Sequence, residues 1–284
     1  MAKITLIYAY WPNQPRGVTW CDLPWALREA GLPARLSQDG HEIVETMLAS
    51  DSDYPEDLPS GFAMASDIAG EVRKATTQGE LPIVLAGSCS MAALGAVGGL
   101  GSGLPNDAIN ETLGVAWFDA HPDLNTPETT ATGLWEGMAL AMIAGRAYRT
   151  LAEEAVGLSP VSLTHTALIG ARDMDRAEQV TMADAKLTPV TTEDDLVSRL
   201  SNAHGAYVHF DMDVQDAAQV RTNSYAVPNG PSASDLKRLL ASVPRVAAMS
   251  LTGLDPAVAQ KDRAADLVIG YISTVANAWE PPTS

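Results

Sequence analysis

Apolar positions along the chain follow two patterns. Short continuous apolar runs rich in β-formers read as strands buried on both faces: Ile4–Tyr10, Leu81–Ala86, Leu113–Phe118, Thr166–Ile169, Leu187–Val190, Ala206–Phe210 and Val246–Leu251. Between them, apolar residues at helical spacing predict helices over Leu23–Ala30, Gly61–Gln78, Met91–Gly99, Met138–Ala144, Ala177–Ala185, Asp194–Asn202, Ser232–Leu240 and Arg263–Ala278. Asp22 is a candidate N-cap and Gly31 a stop for the first helix, and Ser232 or Ser234 caps a later one. Pro12 and Pro15 mark a loop, Gly101–Glu111 another, and the polar, acidic Gln38–Pro59 reads as a surface insertion. Strands alternating with helices predict an α/β fold with a mostly parallel sheet covered on both faces. Neither a repeat nor a linker interrupts the alternation, so one domain over residues 1–284 is expected.

Three polar clusters follow strand ends, at 87–90, 119–123 and 211–213. In open α/β sheets, that is where ligands bind. Asp119, His121 and Asp123 alternate after Val115-Ala116-Trp117-Phe118, so an extended backbone points all three to one face. Asp211 and Asp213 follow Tyr207-Val208-His209-Phe210 with the same spacing. Buried carboxylates cost several kcal/mol unless paired or bound to metal, on the order of a whole protein's net stability. An isolated Asp-x-Asp is also a common surface turn. Together, the five residues suffice for two divalent ions, and an oxygen-rich set with one imidazole favours manganese over zinc.

Composition narrows the partners. A net charge of −17 argues against nucleic acid and anionic membrane surfaces. Two cysteines, Cys21 and Cys89, are too few for a disulfide framework. The chain opens on no basic segment with an apolar core, and no long apolar run follows, so a soluble cytoplasmic protein is expected.

The motifs DAHPD, LNTPETTATG, GARDMD and HFDMD, with the opening IYAYWPNQPRGV and LPWALREAGL, resemble the arginase/agmatinase (ureohydrolase) family from about residue 4 to residue 270. The resemblance implies a three-layer α/β/α sandwich on a central, mostly parallel sheet of about eight strands. It implies a binuclear manganese centre that hydrolyses guanidino groups. Asp119 and Asp211 would bridge both ions, His121 and Asp213 would complete one site, and Asp123 would belong to the other and accept a hydrogen bond from the nucleophile. Asn125 and Thr132 match contacts to a substrate carboxylate. Asp175 and Glu178 match contacts to its amino group, where the other reading is a solvated acidic helix start. A small guanidino amino acid is the implied partner, and a homo-oligomer is suggested by relatives that are trimers or hexamers.

Three positions depart from the family pattern. Cys89 stands where the family has a histidine ligand, and is read either as a thiolate ligand or as a buried structural cysteine. Glu136 stands where arginases have a proton-shuttling histidine, and is read as a proton carrier or a surface residue. Gly253 aligns with a glutamate that pairs with the guanidinium, with Asp255 nearby to compensate. Cysteine at 89 with an intact threonine-rich run resembles a narrower group, the Nω-hydroxy-L-arginine hydrolases of D-cycloserine biosynthesis, which release hydroxyurea and L-ornithine. The alternatives are an ordinary arginase or other guanidino-acid hydrolase, and an inactive arginase-fold binding protein. His209 reads as a packed core histidine or an outer-shell donor.

Overall fold

The computed structural model describes residues 1–11, 20–49, 57–101, 113–259 and 261–281. Its strands are β1 (Lys3–Tyr10), β2 (Glu42–Ala49), β3 (Leu81–Ala86), β4 (Leu113–Phe118), β5 (Thr166–Ile169), β6 (Pro189–Val190), β7 (Gly205–Asp211) and β8 (Val246–Thr252). They form one eight-stranded sheet, ordered β2-β1-β3-β8-β7-β4-β5-β6, with every pairing parallel. The central strands are apolar at every position because both faces are covered, as the continuous runs predict.

Alternate residues of each strand feed two separate cores. Ile7, Val84, Val115, Trp117 and Tyr207 pack under α3 (Asp57–Thr77), α4 (Cys89–Gly101), α5 (Ala139–Ile143) and α6 (Arg149–Val156), with Met182 of α7 (Arg176–Asp184) at the margin. Leu6, Leu85, Phe118, Val208 and Leu251 pack under α1 (Leu23–Glu29), α2 (Leu32–Gln38), α8 (Glu193–Leu200), α9 (Ala233–Ser242) and α10 (Lys261–Ala278). The result is the expected α/β/α sandwich. Helix α4 is the most enclosed: nearly every residue is buried, and a Cβ at Gly95 would lie 2.5 Å from Ile68 of α3. No helix of the described residues is long and apolar enough to cross a membrane.

Several local expectations need correction. The stretch 38–59 is not an insertion, because Glu42–Ala49 pairs with β1 along its whole length, from Lys3↔Glu42 to Tyr10↔Ala49. It borders only one strand and leaves most side chains partly or fully exposed, so its sequence is polar enough to look like loop. Helices α2 and α6 were not anticipated. Met138–Ala144 resolves into a 3-10 turn at Trp135–Met138 followed by α5. Asp22 precedes α1 without a side-chain cap, whereas Ser232 does cap α9, accepting from the Asp235 amide. Pro12, Pro15, residues 50–56 and residues 102–111 lie outside the described residues.

Candidate metal centre and its cavity

The strand order sets β3, β8, β7 and β4 side by side, so their carboxyl ends meet at the centre of the sheet. Cys89 opens α4 just beyond β3, Thr252 ends β8, Asp211 ends β7 and Asp119 follows β4. Above them lies a cavity of about 260 Å³. Every candidate site residue lines it: Cys89, Asp119, His121, Asp123, Asp211 and Asp213 at its floor, and Asn125, Thr132, Glu136, Asp175 and Glu178 further out.

The floor is dense in carboxylates. Asp119, Asp123, Asp211 and Asp213 are each no more than 5% exposed. Two groups of potential ligand atoms, each within 4.8 Å of one another, share Asp119: one is Asp119, His121 and Asp213, the other Cys89, Asp119, Asp123 and His209. Nδ1 of His121 lies 3.4 Å from Asp119 Oδ1 and 3.3 Å from Asp213 Oδ2. Asp211 falls outside both groups and stands beside them. Its Oδ2 accepts from the Cys89 thiol at 3.1 Å and from Thr252 Oγ1 at 3.3 Å, and its Oδ1 accepts from the Asp213 amide at 2.8 Å. Asp123 has φ +50°, in the left-handed region that Asp tolerates better than most residues. That turn folds its carboxylate back into the floor, where Oδ2 is buried without a hydrogen-bond partner.

Electrostatics show what the floor lacks. Burial, then the charge of Asp213, pushes Asp119 up to about 7. Burial and neighbouring carboxylates push Asp123 and Asp211 upward as well. Burial opposes the charge on His121, yet Asp119 and Asp213 outweigh it and lift the imidazole to about 12. Asp213 is held below the usual range because His121 and the Ala120 amide overcome its own burial. Burial and the surrounding aspartates drive the Cys89 thiol far up. Four enclosed carboxylates against one imidazole, together with an unpartnered carboxylate oxygen, are the donor chemistry of a divalent-cation site. The residues therefore fit metal ions, with Asp119 common to two positions.

The walls are more tightly built than the sequence suggests. Asp175 and Glu178 form a capping box at α7: Asp175 Oδ1 accepts from the Ala177 and Glu178 amides, and Glu178 Oε2 accepts from the Asp175 amide. Glu178 is only 5% exposed, so it is not a solvated helix start, and its Oε1 accepts from the Leu124 amide at 3.1 Å. Asn125 donates to Asp175 Oδ2 at 2.9 Å, tying the segment after β4 to α7. Thr132 lies exposed at the mouth. Glu136 is half-buried rather than on the surface. Its Oε2 accepts from Ser88 Oγ at 2.9 Å, and burial raises the carboxyl to about 7.

Gly253 presents no side chain at the end of β8. Its φ is +69°, and a Cβ there would lie 1.9 Å from Asp211 Oδ1, so no side chain fits. Asp255 does not line the cavity. It is buried, and its Oδ1 accepts from the Ala257 amide.

Sequence reasoning gave no role to Arg172, whose guanidinium donates to the carbonyls of Gly170, Asp213, Val214, Gln215, Val227 and Pro228 and so fixes the loop carrying Asp213. Its place in the GARDMD motif, between two ligand-bearing strands, was the available signal. Trp20 stacks on Tyr225 at 5.6 Å, and both line the cavity.

Comparison with known proteins agrees with this arrangement. The family model described as the arginase family matches residues 24–276. Arginase of Staphylococcus aureus (strain MRSA252) is 25% identical over 280 residues, covering 88% of this chain and 89% of that one. Arginase of Brevibacillus brevis is 30% identical over 218 residues, covering 68% and 69%. The crystal structure of arginase from Bacillus subtilis superimposes with a TM-score of 0.85 at 22% identity, over 96% of this chain and 98% of that one, a likeness of fold.

Proposed function

Because the chain belongs to the arginase family, we propose that its cavity hydrolyses the guanidino C–N bond of an arginine-like amino acid, with Nω-hydroxy-L-arginine as substrate and L-ornithine and hydroxyurea as products. One observation carries this reading: two ligand groups that share Asp119 lie beneath a cavity walled by polar residues. Two divalent ions, manganese in this reading, supply a water whose pKa is lowered toward neutrality.

The chain's own residues do the rest. Asp119, His121, Asp211 and Asp213 would hold one ion, and Cys89, Asp119, Asp123 and Asp211 the other. The free Oδ2 of Asp123 accepts a hydrogen bond from the attacking water. As the water oxygen bonds to the guanidino carbon, the bond from that carbon to the ornithine nitrogen breaks, and the nitrogen leaves with a proton. Glu136 lines the cavity with a carboxyl that titrates near 7, suited to donating that proton. Asp175 and Glu178 face the substrate ammonium, and Asn125 and Thr132 its carboxylate.

The hydroxylated substrate is preferred for a reason at β8. Neither Gly253 nor Asp255 brings a carboxylate into the cavity from that strand end. A strongly basic guanidinium loses a partner there, whereas the less basic hydroxyguanidine needs it less.

The test is metal analysis joined to product analysis. Stripped protein reconstituted with manganese is expected to hold two ions per chain and to release L-ornithine and hydroxyurea from Nω-hydroxy-L-arginine faster than urea from L-arginine. Equal rates would make it an ordinary arginase. At most one ion, with no urea or hydroxyurea from either compound, would leave an arginase-fold protein without this activity.

A further inference from the structure

One polar atom beside the floor has no role in that reading. Nε2 of His209 is fully enclosed and has no hydrogen-bond partner. The ring that carries it is fixed. Trp117 stacks on it at 3.8 Å and 18°, and its Nδ1 lies 2.9 Å from Ser250 Oγ, which is 2.6 Å from the Tyr207 hydroxyl. Sheet register sets Trp117, His209 and Ser250 side by side, with Asp211 and Thr252 two residues further along β7 and β8. With the Nδ1 proton given to Ser250, Nε2 keeps its lone pair and faces the floor. A histidine that merely packed in the core would leave that nitrogen stranded, at about 1–3 kcal/mol.

Its surroundings give it a partner. Nε2 is 4.0 Å from Asp119 Oδ2, too far for a hydrogen bond. Two donors each bonded at about 2.1 Å to one ion stand up to about 4.2 Å apart, so the same separation suits a shared metal. Cys89 and Asp123 complete the group.

We propose that His209 is a direct metal ligand, its Nε2 joining Cys89 Sγ and the carboxylates of Asp119 and Asp123 in the shell of the ion on the Cys89 side. The inference rests on the two-ion reading and adds to it a ligand from within β7. Each half of the centre then holds one imidazole, His121 in one and His209 in the other. The imidazole absent from residue 89 enters from β7, two strands across the sheet from β3. Ser250 and Tyr207 become positioning residues that fix the tautomer and direction of the ring. Sulfur and nitrogen beside two oxygens suit a softer ion than the His121 group does, which makes cobalt(II) and cadmium(II) good probes.

The experiment titrates the metal-stripped full chain with cobalt(II), following the thiolate-to-cobalt charge-transfer band that reports the ion beside Cys89. Loss of an outer-shell partner costs roughly 10–100-fold in affinity. His209→Asn is therefore expected to weaken this ion by more than about 100-fold, and Ser250→Ala by about 10–100-fold. Unchanged affinity in a folded His209→Asn protein overturns the proposal. Because His209 packs against Trp117, a second measurement avoids substitution altogether. Unmutated protein, labelled with nitrogen-15 at histidine and loaded with NMR-active cadmium, should show a scalar coupling between the metal and Nε2 of His209. A thiolate band without that coupling removes His209 from the shell and leaves the two-ion reading standing. Absence of both the thiolate band and a second ion defeats the two-ion reading, and the inference with it.

Discussion

Gly253→Ala places the smallest side chain against the most crowded carboxylate of the floor. An added Cβ would sit 1.9 Å from Asp211 Oδ1 and 2.3 Å from its Cγ and Oδ2, where real Cβ contacts do not fall below 3.0 Å. Either the carboxylate or the strand end must move by more than an ångström. Asp211 has little freedom, since the Asp213 amide holds Oδ1 while the Cys89 thiol and the Thr252 hydroxyl hold Oδ2. The left-handed φ of +69° costs a non-glycine residue about 1–2 kcal/mol, and forced repacking about 1–3 kcal/mol. The variant should therefore lose about 2–5 kcal/mol in urea unfolding of the metal-free protein. It should also bind metal more weakly, because Asp211 is displaced. Gly137→Ala is the control. It lines the same cavity but has nothing within 4 Å of its added Cβ, and should stay within about 0.5 kcal/mol of the parent. A Gly253→Ala protein as stable as that control, with unchanged metal affinity, would refute the reasoning.

Other perturbations separate the roles of single groups. Arg172→Lys keeps the charge but loses the planar fork that reaches six carbonyls, and should cost on the order of 3 kcal/mol in urea unfolding; a loss below about 1 kcal/mol would show the clamp to be dispensable. Glu80 is buried near the amino end of β3; its own burial raises its pKa, but hydrogen bonds from Thr5 and Lys3 and the charge of Lys3 outweigh this and hold it below the usual 4.5. That carboxylate contributes stability above its unfolded value, lost as pH falls through the lower folded one, so Glu80→Gln should cost about 1–3 kcal/mol near neutrality and flatten the acid limb of stability against pH. Glu136→Gln should lower kcat for the guanidino substrate by about 10²–10⁴-fold with little change in KM. As a proton donor Glu136 is active below about 7, so the variant should also lose the decline in rate above that pH; a wild-type profile would remove Glu136 from proton transfer.

The parts most legible in the sequence were those buried on both sides. Strands β3 and β4 are unbroken apolar runs because no face of them meets water, β7 is interrupted only by His209 before it ends on Asp211, and the ligand-type residues stand out at or just beyond the ends of these runs. The same logic failed at the sheet margin. β2 alternates partly and fully exposed positions and carries Glu42 and Glu45, so half its pattern belongs to solvent. Contacts between distant segments were illegible for another reason. Nothing near Gly253 in sequence announces the carboxylate of Asp211, 42 positions earlier, that occupies the space of its missing side chain. Nor does the strand pattern around His209 show that Trp117 and Ser250 lock its ring and leave one nitrogen facing the ligands.

Two protonated groups sit among the carboxylates of the floor. His121 stands between Asp119 and Asp213 at 3.4 and 3.3 Å and keeps its proton to about pH 12, acting as a counter-ion in one half. In the other half, the Cys89 thiol stays protonated and donates to Asp211. Both donors must give up those protons before they can ligate metal. This explains how three of the four buried aspartates coexist at the end of a sheet with only one charged imidazole among them. Three of the carboxylates are paired with those two groups, and Asp123 keeps an unpartnered Oδ2. The shape of the floor also has supports beyond the ligands themselves. It is set by the order of β3, β8, β7 and β4, by the Arg172 clamp behind Asp213 and by the Asp175–Glu178 capping box that anchors the segment after Asp123.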